Sequence, residues 1–388
     1  MKRNIIRFRR SLSRLPDLGQ AIQERSTKLW FARVFVVALA LAAMIIVLPR
    51  SKASTERLAS AQTGTGGFQN GKVSSRVSTR LSSAVSGFED KTVRNSLLPT
   101  KKYQVKFDLA SITHELPSVD QATLANMKTN QIGIIRDVNV GSNSMGRKVL
   151  NADGTQIRIM AIRSAGADSL RVHLEGLDLA PGDLVYVYGN AENSHVAGPY
   201  TDKGPFKSGE VWTDRINGDT AIIEYYFKGD EHPFRISKLT HTLAGNKQAV
   251  FAPAVKACEL DERCFNDLEK DAVGRMDFVT GQGEFVCSGT LLNDQPGDSA
   301  PFFLTAAHCI STQDVAQTLE VWWFYQTTSC DSGVLRPDIT MSQPTGASLL
   351  ATDTNIDATL LSITGNIPNG VVFAGFDPSP MGIGTQVF

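Results

Sequence analysis

Phe302-Phe303-Leu304-Thr305-Ala306-Ala307-His308-Cys309 is an apolar run that closes on small residues and delivers a histidine with a cysteine directly behind it. Its length and apolar character predict a buried strand. A histidine at a strand end is more often structural than chemical, and here the surroundings change that reading. Ala306 and Ala307 leave room for an imidazole to lie against the backbone. Upstream stands Cys287-Ser288-Gly289-Thr290-Leu291-Leu292. Downstream, Asn355-Ile356-Asp357-Ala358-Thr359-Leu360-Leu361 places a carboxylate immediately before another apolar strand, with Asp353 as a nearby competitor.

The same texture extends on both sides. Strands are predicted at Gly283 to Leu292, Phe302 to Ala307, Leu319 to Gln326, Ala358 to Ile363 and Val371 to Phe376. Before them, apolar residues alternate at Ile157 and Ile159, at Leu170, Val172 and Leu174, at Leu184, Tyr186 and Tyr188, and at Ala221, Ile223 and Tyr225. Turn residues separate these runs, as at Pro181-Gly182-Asp183 and Asn217-Gly218-Asp219. Period-2 alternation with such spacing predicts a small antiparallel sandwich. His173 and His195 are isolated within it and read as surface or core residues. Between Tyr103 and Asn130, Ser118 or Asp120 is placed to cap a short helix through Leu124 and Met127, and Gly229 to Lys256 reads as a polar connector.

Taken together, the Thr-Ala-Ala-His-Cys segment, the Cys-Ser-Gly segment and the Asn-Ile-Asp-Ala-Thr segment resemble the bacterial trypsin-like serine peptidases related to lysyl endopeptidase, from about Cys258 to the last residue. The resemblance implies His308 as general base and Asp357 as the carboxylate that orients it. It also implies pairing of Cys264 with Cys330 and of Cys287 with Cys309, which leaves Cys258 unpaired with its family partner downstream of the active serine. The expected fold is all-β: an N-terminal β-sandwich-like accessory domain, then an incomplete trypsin-like double β-barrel. The expected organisation is 1–50 a signal peptide or membrane anchor, 51–130 a linker or pro-segment, 131–250 the accessory domain, and 251–388 the first barrel of the peptidase domain.

In this fold the nucleophile follows the aspartate within a Gly-flanked serine turn. Ser362 and Ser379 follow Asp357 without such glycines, and Gly297-Asp298-Ser299 and Asp331-Ser332-Gly333 come before it, in the wrong order. The expectation is therefore a serine endopeptidase precursor whose serine lies beyond Phe388, inactive as it stands. The competing class is a non-catalytic binding module on the same scaffold. The specificity pocket of such folds belongs to the second barrel, so the resemblance concerns the scaffold alone.

Composition narrows the partners. Lys plus Arg and Asp plus Glu number 39 each, which gives no electrostatic reason to expect nucleic acid. The expected partner is a protein or peptide substrate, with no cofactor and no metal, since neither an H-E-x-x-H motif nor a Gly-rich phosphate loop occurs. Nine basic residues among the first 33 precede the apolar run Val34 to Leu48. That run fits the core of an export signal, with Ala59-Ser60-Ala61 as a candidate cleavage site, and is also compatible with a membrane tether. All five cysteines, Cys258, Cys264, Cys287, Cys309 and Cys330, lie in the C-terminal part, and an export signal ahead of them favours disulfides over zinc. Lys238, Lys247 and Lys256 stand between the two β regions as candidate maturation sites.

A lone first barrel exposes apolar surface. Chain lacking the residues before Tyr103 is accordingly expected to be poorly soluble or to bind a hydrophobic dye, and a monodisperse, dye-silent monomer would contradict this.

Overall fold

The computed structural model describes residues 78–79, 98–144, 146–191, 194–243, 261–294, 299–343, 345–376 and 382, all within one compact unit running from Gly66 to Phe388. Val34 to Leu48, the Ala59-Ser60-Ala61 triplet, Cys258 and Ser379 lie outside the described residues. Among the described residues, no helix is long and apolar enough to cross a membrane.

The strands of the N-terminal half are β1 (Ser78–Thr79), β2 (Thr113–Glu115), β3 (Gln131–Gly141), β4 (Arg147–Leu150), β5 (Thr155–Arg163), β6 (Ala167–Glu175), β7 (Leu184–Gly189), β8 (Val196–Tyr200), β9 (Glu210–Trp212), β10 (Ile216–Asn217), β11 (Thr220–Lys228) and β12 (Arg235–Leu243). Those of the C-terminal half are β13 (Val273–Thr280), β14 (Gly283–Leu292), β15 (Phe302–Thr305), β16 (Glu320–Trp323), β17 (Thr340–Met341), β18 (Ala347–Asp353), β19 (Ala358–Ile363) and β20 (Val372–Phe373). The fold is all-β, as expected.

One sheet has the order β2-β5-β11-β7-β8, with β4 also on β5. A larger one runs β10-β6-β12-β3-β14-β13-β16-β17, with β9 also on β6, and beyond β14 it curls through β15 and β19 to β18, while β1 and β20 pair as a separate two-stranded sheet. The reason for the two layers is visible in β11. Its alternate residues Ile223, Tyr225 and Phe227 pack with Val172 and Leu174 of β6 and Ile236 and Leu239 of β12, forming the core between the sheets. Each such burial contributes about 1.5–3 kcal/mol.

The opposite set on β11 is covered too. Ile222 packs with Ile157, Ile159 and Ile112, against which Tyr103 and Phe107 lie. Glu224, fully buried, accepts hydrogen bonds from the Thr100 backbone N–H at 3.0 Å, the Thr100 hydroxyl, and the Tyr188 hydroxyl at 2.8 Å. Burial pushes the Glu224 carboxyl up from its ordinary range. Residues 98–112 are thus a packed cover over the smaller sheet. Further on, Asp120 caps the helix Gln121–Ala125 by accepting from the Thr123 N–H at 2.6 Å.

Several strands depart from the sequence reading, and two of them bear on the seam and the site. Arg235–Leu243, expected as part of a polar connector, is the central strand β12, paired with β6 on one side and β3 on the other. Its register shifts between Ile236 and Lys238, so the buried Ile236 and Leu239 stand three apart and the period-2 signal is lost. This also removes Lys238 as a maturation site, because its peptide bonds lie inside a two-sided ladder. Lys247 and Lys256 are outside the described residues. The second departure is β13, whose Arg275 and Asp277 mask the apolar Met276 and Phe278 that enter the core.

The two halves share one sheet. β3 pairs with β12 along one edge and with β14 along the other, through Gly133 opposite Glu284 and Gln131 opposite Phe285. Across this seam lies a buried charge cluster. Arg215 Nε meets Glu320 Oε2 at 3.2 Å, and its Nη2 meets Asp277 Oδ2 at 3.0 Å and also Glu284 Oε1. Arg215 Nη1 donates to the hydroxyls of Ser169 and Thr242, and Thr242 in turn donates to Glu284 at 2.7 Å. Arg275 Nε reaches Asp277 at 2.8 Å, and Arg171 Nε lies 3.5 Å from Glu320. Burial pushes the Glu320 carboxyl up, against the opposing pull of Arg171 and Arg215. Burial works against the Arg215 cation as well, but Glu284, Glu320 and Asp277 outweigh it and raise its pKa.

Removing Arg215 leaves three buried carboxylates facing only Arg171 and Arg275, with Glu284 deprived of its cation, and breaking a buried ion pair from one side costs about 3–5 kcal/mol. Arg215→Met is expected to lower the unfolding free energy by about that amount in urea titrations. Because the cluster bridges both halves, tryptophan fluorescence and far-ultraviolet dichroism should shift together. Loss confined to one probe would show that the halves are not coupled through the seam.

Candidate active site

β15 is the strand that carries the histidine, and it lies between β14 and β19. Phe303 points inward, is fully buried, and meets the Trp323 ring edge-on at 6.0 Å between centroids. Trp323 Nε1 donates to Ser342 Oγ at 2.7 Å, so its one polar group is satisfied. Phe303 also explains Gly289 in the Cys-Ser-Gly segment. A Cβ there would lie 2.2 Å from the Phe303 ring.

The chain leaves β15 in a tight turn, with the Cys309 and Ile310 N–H groups both donating to the Ala306 carbonyl. Cys309 is disulfide-bonded to Cys287 of β14, and Cys264 to Cys330. Closing a loop of the size between Cys287 and Cys309 is worth about 3 kcal/mol. The Cys287–Cys309 bond fixes the residue directly after His308.

Asp357 arrives from the other side, at the end of the turn between β18 and β19. Its φ of 52° is left-handed, a conformation that aspartate tolerates better than most residues. The carboxylate grips His308 twice: Oδ1 accepts the His308 backbone N–H at 2.8 Å, and Oδ2 lies 2.7 Å from Nδ1. An ionised carboxylate can only accept, so Nδ1 carries a proton, and in the neutral imidazole Nε2 carries the lone pair. The imidazole N–H first, and the His308 backbone N–H second, hold the Asp357 carboxyl below the usual aspartate range. Both side chains are open to water, at 68% and 51% exposure. Asp353, the competing carboxylate, is turned to its own loop, where it accepts from the Asn355 N–H at 2.8 Å.

Beside the imidazole opens a cavity of about 670 Å³ whose wall includes Ser288, Lys270, Arg275, Tyr325 and Glu262. Of these, Arg275 and Tyr325 are stacked, with the guanidinium 4.5 Å from the ring centroid. Of these wall residues only Ser288 belongs to a motif, the Cys-Ser-Gly segment, and only the strand assignment of β13 would have exposed Arg275. Among the described residues, no serine hydroxyl hydrogen-bonds His308. Ser362 lies in β19 opposite Phe302 and Ser348, and Ser332 belongs to the turn around Ser329 to Val334. Ser299 sits in a left-handed conformation ahead of β15. Cys287, His308 and Cys309 bring ligand atoms within 4.8 Å of one another, but both sulfurs are committed to the disulfide and offer no thiolate.

A curled antiparallel half-barrel with a histidine and an aspartate at adjacent strand ends is the architecture of a trypsin-like fold. Residues 253–388 match the family described as "Lysyl endopeptidase, C-terminal domain". A lysyl endopeptidase of Pseudomonas aeruginosa is 29% identical over 256 residues, an alignment covering 60% of this chain and 54% of that protein. The chain therefore spans about half the length of the curated relative it matches, and over that span it is related to a peptidase.

The lowered carboxyl makes a pH statement with a definite sign. A group whose folded pKa is depressed adds stability above its unfolded pKa and loses it as pH falls through the folded value. In carbon-13 spectra of aspartate-labelled chain, the Asp357 carboxyl is expected to titrate below the ordinary aspartate value. His308→Ala should move it partway back, because the backbone N–H of residue 308 stays. An ordinary titration in the unsubstituted chain would rule out the pair in solution.

Proposed function

We propose that this chain carries the histidine-and-aspartate side of a serine endopeptidase centre. The observation that supports it most is the double grip of Asp357 on His308, which leaves Nε2 unprotonated and facing away from the carboxylate. In the proposed reaction a serine hydroxyl from outside the described residues attacks the peptide carbonyl carbon as its proton passes to His308 Nε2. The tetrahedral intermediate collapses when His308 returns that proton to the departing amine, leaving a seryl ester. Water, deprotonated by the same nitrogen, then releases the acid. Asp357 stabilises the imidazolium formed in each half-reaction and stays ionised throughout.

The substrates of this reading are proteins or peptides. It also includes export from the cytoplasm, supported by the two disulfides and by the basic-then-apolar N-terminal pattern. Residues 98–243 are proposed as an accessory part of a zymogen-like precursor, separated from the half-barrel by a connector in which Lys247 and Lys256 are the remaining candidate cleavage points.

The test is made on protein produced from the intact gene in its own host. It is expected to hydrolyse peptide amides and to be labelled by a fluorophosphonate at a serine. His308→Ala and Asp357→Ala should each lower kcat/KM by about 10³–10⁵-fold. Full activity in His308→Ala, or hydrolysis insensitive to the fluorophosphonate, would overturn the assignment.

A further inference from the structure

Asp357 and His308 are joined once by their own hydrogen bonds, and the same two segments are joined again two residues further along. Thr359, two after Asp357, donates its hydroxyl to the carbonyl of Ile310, two after His308, at 2.8 Å. Thr359 is 1% exposed and Ile310 is fully buried. The Ile310 N–H is taken by the turn itself, through Ala306. A third hydroxyl completes the chain: Thr352 Oγ1 of β18 lies 2.7 Å from Thr359 Oγ1. Since the Thr359 proton goes to Ile310, Thr352 is the donor in that contact. The order is Thr352 hydroxyl to Thr359 hydroxyl to Ile310 carbonyl.

The backbone leaves the site in need of such a tie. Thr359, the second residue of β19, stands opposite Thr305, where the β15 ladder ends. Beyond Thr305 the histidine segment has left the sheet, and no ladder bond holds it to β19. The disulfide at Cys309 anchors it to β14, on the far side. Without a bond toward β19, the turn could swing about that disulfide and carry the imidazole off the carboxylate. The Thr359 hydroxyl, a short donor inside β19, supplies the missing bond.

We propose that Thr359 is a positioning residue that holds the His308 turn in register with Asp357. The proposal rests on the reading of His308 and Asp357 as a functional pair, but concerns their geometry, so it can be tested without turnover. Nitrogen-15 histidine spectra of the full chain report which imidazole nitrogen carries the proton, with His308 assigned by its loss in His308→Gln. In the unsubstituted chain neutral His308 should be protonated mainly at Nδ1. Thr359→Val keeps the size and the strand preference and removes the hydroxyl. It is expected to lower the Nδ1-protonated fraction at least twofold, and Thr359→Ser should restore it.

Thr352→Val, at an exposed position, should move the same signal in the same direction by less, and it serves if Thr359→Val fails to fold. An unchanged tautomer in folded Thr359→Val would overturn the proposal, as would an unchanged tautomer in Thr352→Val when Thr359→Val is unfolded. A His308 protonated mainly at Nε2 in the unsubstituted chain would defeat the pair itself, and the proposal with it, which separates the two failures.

Discussion

Arg215 is a guanidinium almost without water, and the arrangement of both halves of the molecule follows from keeping it there. A buried cation must be surrounded by acceptors, and those around Arg215 come from Ser169 and Thr242 on the N-terminal side and from Asp277, Glu284 and Glu320 on the C-terminal side. Three guanidiniums, Arg171, Arg215 and Arg275, stand against three carboxylates. Apolar contacts tolerate sliding, whereas a directed set of this kind is satisfied in one register. A one-residue slip of β14 against β3 would turn Glu284 to the other face and strand its charge. Such a cluster adds little net stability compared with a well-packed apolar core, and its physical effect is to penalise every other pairing of the two halves.

That rigidity matters at the site, because the site cannot supply its own. His308 and Asp357 lie in water, and ion pairs there are weak and screened. Their geometry must come from the chain around them. Cys309 is covalently tied to β14, Phe303 is packed over Gly289 and against Trp323, and Asp357 is held at a left-handed turn. None of these constraints acts on the His308 ring, so the imidazole itself stays accessible while its base is fixed.

The same division decides what could be read from the sequence. The site was legible because its parts are local: a histidine followed by a cysteine, and an aspartate directly before an apolar strand. The sandwich strands were legible where alternation is unbroken, as in β5, β6 and β11. β12 was not, because its bulge moves Leu239 out of phase with Ile236. The charge cluster was illegible for a different reason. Arg171, Arg215, Arg275, Asp277, Glu284 and Glu320 look like surface residues one at a time, and only the folded pairing of distant segments shows three cations neutralising three carboxylates. Thr359 is a further case, since threonine is ordinary in strands and nothing marks one whose hydroxyl reaches out of the sheet.

Exposure of the pair also bears on how the proposed chemistry would work. Proton transfer to Nε2 creates an imidazolium, and Asp357 stabilises it far more in a dry environment than in water, where the attraction at 4 Å falls to about 1 kcal/mol. The segments that carry the pair also expose apolar side chains: Leu304 of β15, Leu350 of β18 and Ile356, next to Asp357, have 40%, 48% and 73% of their area exposed. On the proposed reading, an element that brings the serine to Nε2 would dock against the segments that carry the pair. Covering Leu304, Leu350 and Ile356 would stabilise the docked state by the hydrophobic effect and remove water from Asp357 and His308 in the same step. Water exclusion, nucleophile delivery and apolar burial would then be one event, and the base would gain its full strength only when there is a hydroxyl for it to act on.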